Sequence, residues 1–357
     1  MLLGAPLWGM VSDRVGRGRI LIIGLVGYVG YVASSLLLLI PSIASEAGIA
    51  GLYALRGTTG FFVAAVVPVV AALVAEHTPQ DQRARRFAWL GAMSLLGFLF
   101  GPALSAVAHE VGPWFTDAAA SSALSARVVL GLSALLGAVM MVGLAASLPA
   151  ALVGQVPAEA GAPSPLPGHP VALLWLSATV MFVLAGFELG IVLQGQLQAG
   201  QSSRQAAIML AECSLVMLGV NALLFITSLL EKMSARVLIG AGLLLAVVGL
   251  AMLAVGRADV WMYLGVSLTA AGTGLVLPVI AYLAAGASAQ KLGVVMGGLS
   301  AAAGLGQTLG TAAGGWLFGV LAHRSYGLLM LPLLAMFGLL LVRPRRWSAE
   351  APHPHQS

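Results

Sequence analysis

The chain has 357 residues, of which 60% are apolar and only 8% carry a charge. Soluble domains carry about 25% charged residues, so this chain has too few to cover the surface of a water-soluble globule. The formal net charge of +5 does not indicate a nucleic-acid partner, because the basic residues form no recognisable nucleic-acid-binding module. The composition predicts an all-α membrane protein with many spans, since helices satisfy their own backbone hydrogen bonds in lipid.

Ten segments are long and apolar enough to cross a bilayer, which takes about 20 residues. In chain order they are residues 20–40, 48–75, 87–108, 127–148, 171–194, 206–230, 237–256, 261–286, 292–321 and 326–342. The opening stretch 1–11 is also apolar, but at ~1.5 Å per residue it covers only about half of a ~30 Å hydrocarbon core. We therefore expect an eleventh helix of which the chain holds only a part.

The basic residues orient these predicted helices. Of the 17 lysines and arginines, 12 lie in the loops and tail on one side, four lie on the other side, and Arg56 lies inside a span. Basic residues concentrate in cytoplasmic loops, so the larger group marks the cytoplasmic side. We expect the lipid bilayer to surround the helices. Each end of every span is then assigned to either the cytoplasmic or the outer side.

A proline-rich segment divides the chain. Residues 149–170 contain six prolines and no lysine or arginine, a composition typical of a semi-rigid or disordered linker. We expect four regions: an N-terminal helical bundle (1–148), a cytoplasmic linker (149–170), a six-helix bundle (171–342) and a polar tail (343–357). The two bundles would be symmetrical if one further helix preceded Met1.

One motif lies at the end of the first partial helix. It consists of Gly9, Asp13, Arg14, Gly16 and Arg17, and we expect it to form the loop before residue 20. A glycine allows close helix approach or a tight turn, and an aspartate can bond a neighbouring helix N-terminus or an arginine. The pattern resembles the cytoplasmic loop signature of the major facilitator superfamily, which joins its second and third helices. The alternative is an ordinary basic loop of a membrane protein.

Two further stretches resemble motifs of the same family. Arg56, within residues 55–60, resembles the intramembrane arginine of the family's fourth helix. Gly97, Gly101 and Pro102 resemble the antiporter motif of its fifth helix, with small residues at 105–106 in place of the usual Gly-Gly. Because Gly97 and Gly101 are four residues apart, they predict a face where another helix packs closely.

The resemblance implies an all-α major facilitator fold with two bundles of 5–6 and 6 helices, the first helix missing. It implies a secondary transporter of a small molecule, driven by a proton gradient without a cofactor. It also implies a multi-pass protein of the bacterial cytoplasmic membrane, which we expect to be a monomer. C-terminal to residue 171, the likeness is one of architecture and of a glycine stripe at positions 304, 306, 310, 314 and 315.

Three ionisable residues lie inside predicted spans. Arg56 lies about 12 Å from the outer end of its span, and Glu188 and Glu212 lie about 9 Å from theirs, at the standard helical rise. Charges inside a membrane are costly, about 2.5–3.5 kcal/mol on insertion scales, and are functional candidates by default. We expect Arg56 to pair with a glutamate when the outer side is closed, which would couple transport to proton binding. The alternative is that each charge reaches the interface or makes a fixed structural pair.

Other polar residues in the spans offer weaker candidates. Tyr28, Asn221 and Gln307 are candidate substrate-lining residues, although an interhelical hydrogen bond is the commoner use of such side chains. The single cysteine, Cys213, lies in an apolar run, and we expect it to be a buried small hydrophobe. The sequence contains no catalytic triad, metalloprotease or phosphate-binding motif, so we expect neither an enzyme nor a metal site.

Three functions follow from these observations. The first is proton-coupled export of small apolar or cationic compounds, as in the drug–proton antiporters that the helix motifs resemble. The second is transport of a specific metabolite such as a sugar, an amino acid or a siderophore. The third is a truncated relative that transports nothing.

Overall fold

The computed structural model describes residues 4–37, 60–79, 168–197, 203–227, 229–256, 259–286 and 292–342, with scattered residues between 51 and 107 and between 131 and 146. These residues form helices and no β-strand. The helices are α1 (Gly4–Val15), α2 (Arg17–Leu37), α3 (Val66–Glu76), α4 (Gly168–Leu197), α5 (Ser203–Thr227), α6 (Leu229–Lys232), α7 (Ala235–Val255), α8 (Asp259–Gly286), α9 (Leu292–Leu321) and α10 (Ser325–Val342).

The predicted spans agree with these helices. Each long helix from α4 to α10 begins and ends within three residues of the predicted segment. Every described residue of 86–107 and of 131–146 is also helical, as predicted for these two spans. Five described stretches are apolar and long enough to cross a membrane: Val171–Leu193, Gln205–Leu224, Ala235–Val255, Val260–Ala284 and Val295–Val342, the last comprising α9 and α10.

The motif at the first helix end is mostly helical, which corrects the expectation of a loop there. Helix α1 continues through Asp13 to Val15, and α2 begins at Arg17. Only Gly16 interrupts the two helices, with a φ of 103° that residues with a side chain rarely adopt. The role predicted for Gly16 as a tight-turn residue is therefore confirmed, and one residue is sufficient for the turn.

Two clusters of buried apolar side chains hold the helices together. The smaller cluster joins α1, α2 and α3. Its buried residues include Ile20 and Leu21 of α2 and Val69 of α3. A larger one fills the space between the helices from α4 to α10, with Phe187 and Leu250 fully buried in it. Helices α1 and α3 both contact α9, so the N-terminal and C-terminal halves meet there.

Helices α4 and α9 pack backbone against backbone. A Cβ atom added at Gly306 or Gly310 would overlap the carbonyl group of Ala178 or Phe182, respectively. One turn further, a Cβ at Gly314 would lie 2.9 Å from a backbone atom of α4. Contacts that advance by four residues on both helices show that the two run parallel. The glycine stripe predicted in the C-terminal half is therefore a close helix contact.

The glycines of the predicted antiporter motif are not packed in this way. Gly97 and Gly101 are both exposed, and a Cβ added to either would meet nothing within 4 Å among the described residues. The close-packed face expected there has no partner among the described residues and stays a prediction. Glycines four residues apart allow a close approach, but another helix must also lie on that face. Pro102 lies outside the described residues.

Candidate functional site

Two glutamates lie in the outer half of the C-terminal helices, on two helices that contact each other. Glu188 projects from α4 and Glu212 from α5, and both carboxyl groups are within electrostatic range of the Cys213 thiol. Cys213 itself is free and fully buried in the larger apolar cluster, as the sequence predicted. Two acidic side chains on neighbouring helices therefore border one largely apolar region.

The two carboxyl groups have different hydrogen-bond surroundings. Oε1 of Glu212 accepts a hydrogen bond from the Ser267 hydroxyl of α8 at 2.5 Å. Oε1 of Glu188 and Oε2 of Glu212 are buried without a hydrogen-bond partner in the part of the chain that the structure describes. Buried carboxylate oxygens are normally satisfied, so an unsatisfied one requires an explanation. A site that takes up and releases a proton or a cation is one such explanation.

Aromatic side chains close one side of the Glu188 region. Phe187, adjacent to Glu188, contacts the ring of Tyr326 at a centroid distance of 6.4 Å, and Tyr326 meets Phe318 edge-on at 4.7 Å. Gly190 completes this packing, because a Cβ there would overlap the Phe318 ring. All three rings are buried. They exclude water from the flank of α4 that faces α9 and α10, beside the turn that carries Glu188.

A second polar arrangement lies at the cytoplasmic ends of α1, α2 and α3. The Arg17 guanidinium donates from Nε to both carboxylate oxygens of Glu76 at 2.8 Å and from Nη2 to Oε1 at 2.5 Å. It also donates from Nη1 to the hydroxyl of Ser12 on α1 at 3.0 Å. Sequence reasoning identified Arg17 but missed Glu76, although this acid directly follows the predicted span 48–75. One buried arginine thus links three helices on the cytoplasmic side.

The other residues of this motif are placed as follows. Gly9 is buried and its carbonyl accepts a hydrogen bond from Ser12, whereas Arg14 is exposed. The Asp13 side chain lies outside the described atoms, so its predicted bond stays a prediction. Arg56 also lies outside the described residues, and its pairing with Glu188 stays a prediction for the same reason.

The three candidate substrate-lining residues differ from one another. Asn221 is buried, and its amide donates to the carbonyls of Met217 at 2.9 Å and of Gly274 on α8 at 3.3 Å. It therefore makes an interhelical hydrogen bond, the commoner use considered for it. Tyr28 packs its ring on Gly137 of the N-terminal half. Gln307 is exposed on α9 and Tyr28 is only partly buried, so Asn221 is the least accessible of the three.

The helical fold, the apolar spans and the intramembrane acids define a polytopic membrane transporter. Residues 1–224 match the model of the Major Facilitator Superfamily, so the chain belongs to this family. The Escherichia coli class B tetracycline resistance protein is 30% identical over 109 residues, which cover 30% of this chain and 25% of that relative. The chain is an integral, multi-pass membrane protein of a family whose members carry small molecules.

Solved structures with the same fold cover almost the entire chain. The human organic anion transporter MFSD10 aligns with a TM-score of 0.70 at 20% identity, covering 95% of this chain and 80% of that one. The proton:xylose symporter XylE aligns with a TM-score of 0.71 at 15% identity, covering 97% and 83%. FucP in its outward conformation aligns with a TM-score of 0.69 at 13% identity, covering 96% and 86%. These similarities establish the major facilitator fold.

Proposed function

We propose that the protein is a proton-coupled exporter of small apolar or cationic compounds in a bacterial cytoplasmic membrane. The observation that carries the proposal is the pair of acidic side chains, Glu188 and Glu212, each with one buried carboxyl oxygen that has no hydrogen-bond partner among the described residues. The local similarity to a tetracycline resistance protein supports export as the direction of transport. The resemblance of residues 97–102 to the antiporter motif supports exchange for a proton.

The two halves of the protein contact each other near the cytoplasm, as the outward-facing state of such an exporter requires. Helices α1 and α3 are cytoplasmic halves of their spans by the charge distribution, and both contact α9. Residues 295–304 of α9, nearer the cytoplasm, are all at least partly buried. The two halves of the protein are thus in contact on the inner side. The glutamates in the outer half are then nearer to the external solvent.

A proton cycle follows from this arrangement. A carboxyl group that loses water and gains no partner is more stable when protonated, so it binds a proton from the outer solvent. When the outer side closes and the inner side opens, the carboxyl group is exposed to the cytosol or to a substrate. The carboxylate form is then stabilised, and the proton is released into the cytoplasm. Export then uses the proton gradient because each conformational cycle returns one proton to the cytoplasm.

The test is a substrate panel in a drug-sensitive bacterial host that expresses the full chain. Expected results are resistance to one or more apolar or cationic compounds, loss of that resistance with a protonophore, and loss in Glu188→Gln or Glu212→Gln. Glu46→Gln is the matched control, because Glu46 lies between the predicted spans and should leave resistance unchanged. Uptake of a sugar or an amino acid without any resistance would instead favour a metabolite transporter, and no transport of any compound would favour the non-transporting relative.

A further inference from the structure

Among the described residues, Ser267 donates a hydrogen bond to Glu212 and not to Glu188. It lies in the outer half of α8, and its hydroxyl donates to Oε1 of Glu212. A second bond, from Asn221 to the carbonyl of Gly274, joins the same two helices further along. Because both contacts advance in the same direction on α5 and α8, the helices run parallel and their relative rotation is fixed at two points. Ser267 is therefore held opposite Glu212 by the packing of the helices.

The hydroxyl acts on one protonation state more than on the other. A hydrogen bond to a carboxylate is stronger than one to a neutral carboxylic acid, so the donor favours the ionised form of Glu212. Glu188 has no such donor at its buried Oε1 among the described residues. The two acids therefore differ in their preference for a proton, although they lie near the same thiol.

The other titratable groups around Glu212 are few in the described part of the chain. Helix α4 contributes Glu188, α5 contributes the buried thiol of Cys213, and α8 contributes the partly buried Tyr263, four residues before Ser267. Asp259 lies at the outer start of α8, two turns away from Ser267. No lysine or arginine occurs among the described residues of α4, and the Arg204 of α5 is two turns from Glu212. Among these few groups, the hydroxyl of Ser267 therefore has a large influence on the protonation of Glu212.

We propose that Ser267 is a positioning residue that holds Glu212 ionised and in one orientation, so that the exchanged proton resides on Glu188. This inference rests on the proposed proton coupling and assigns different roles to its two acids. In the cycle one proton passes from water to the Glu188 carboxylate and later back to water, while the hydrogen bond between Ser267 and Glu212 stays in place. Pairs of acids whose surroundings differ in this manner divide their roles in many proton-transfer sites.

The experiment is an infrared titration of the reconstituted full-length protein, which observes the carbonyl stretch of protonated carboxyl groups and needs no substrate. The wild type should show one buried carboxyl band near neutral pH that Glu188→Gln removes and Glu212→Gln leaves. In Ser267→Ala a second band should appear, with a midpoint about one pH unit higher than that of Glu212 in the wild type. The double variant Ser267→Ala/Glu212→Gln should lose this second band.

Controls separate positioning from a general structural effect. Ser267→Thr keeps the hydroxyl and should give the wild-type spectrum. Ser214→Ala removes a buried hydroxyl two residues from Glu212 that bonds only its own helix, and should also leave the spectrum unchanged. If Ser267→Ala yields no folded protein, Ser267→Cys, a weaker donor, should give a smaller shift in the same direction. A wild-type band that Glu212→Gln removes, or Ser267 variants that shift nothing, would overturn the proposal. Because the titration is independent of export, a correct spectrum from a protein that confers no resistance would refute only the proposed function.

Discussion

Arg17 and Glu76 are joined by three hydrogen bonds between the first residue of α2 and the last residue of α3. The arginine is buried and the glutamate is partly exposed, so the pair lies at the edge of the protein and not in its centre. Bonds from two guanidinium nitrogens fix the direction as well as the distance of the contact. The ends of two helices that are 59 residues apart in the chain are thereby held together on the cytoplasmic side.

Replacing this arginine by lysine should weaken the link between the helices. Arg17→Lys keeps the charge but loses the forked geometry, so we expect the unfolding free energy to fall by about 1–3 kcal/mol, nearer the lower value because Glu76 is partly exposed. The thermal midpoint of the purified protein in detergent measures the change. Arg14→Lys is the matched control, since Arg14 is exposed in the same motif. Equal midpoints for the two variants would show that the ion pair does not stabilise the protein.

Asp13→Asn should reduce transport sharply while membrane insertion and expression stay near normal. The reason is that Asp13 lies in the last turn of α1, four residues before the helix-linking Arg17 in the chain, and is expected to act in gating and not in folding. Transport assays and quantified membrane-fraction protein, measured on the same cells, separate the two effects. Full activity in the variant would leave the charge of the motif with only a topological role.

The seam between α4 and α9 should tolerate no side chain. Gly306→Ala places a methyl group onto the backbone carbonyl of Ala178, and because a backbone cannot rotate away, the helices must separate. Overpacking of this kind costs about 1–3 kcal/mol. The control lies in the same helix: a Cβ at Gly319 meets nothing within 4 Å, so Gly319→Ala should match the wild type or exceed it slightly. Thermal midpoints of the two variants should therefore move in different directions, and similar losses in both would contradict the seam.

Arg56 and Glu188 should behave as one unit if they pair across the two halves. Arg56→Ala should shift the pH optimum of transport upward, because the carboxyl group would then keep its proton to higher pH. Glu188→Gln should flatten the pH dependence. The double variant should lose little more than the worse single one, a departure from additivity expected of interacting groups. Additive losses would instead show that the two charges act separately and would leave Glu212 as the candidate partner.

The sequence predicted the helices well and their contacts less well, and the difference has a physical reason. Hydropathy reports the length of a span, so 292–321 was predicted with the observed bounds of α9. The partners of Glu212 and Arg17 depend on how each helix is rotated about its axis. Helices α4 and α5 are apolar on all sides, and no polar stripe marks which side faces which neighbour. Ser267 therefore could not be distinguished from the other serines in the spans.

The two glycine motifs illustrate the same limit. Gly97 and Gly101 have the same four-residue spacing as Gly306 and Gly310, yet only the second pair touches another helix among the described residues. The spacing indicates where an approach is sterically allowed. Whether it occurs depends on the surrounding helices and on the conformational state. A spacing pattern within one helix contains no information about its neighbouring helices or about the conformational state.

The side chain of Asn221 has a consequence for how easily the two halves part. Both of its N–H bonds are directed to carbonyl groups within the C-terminal half, and its oxygen lies 3.3 Å from the place where a side chain of Gly91 would begin. Gly91, in the N-terminal half, thus presents bare backbone to an amide whose donors are already engaged. Among the described residues, separation of Gly91 from Asn221 breaks dispersion contacts, each worth only about 0.1–0.2 kcal/mol per atom pair. Parting of Gly91 from Asn221 therefore breaks neither of the hydrogen bonds that this amide donates, because both of its donors stay bonded within the C-terminal half.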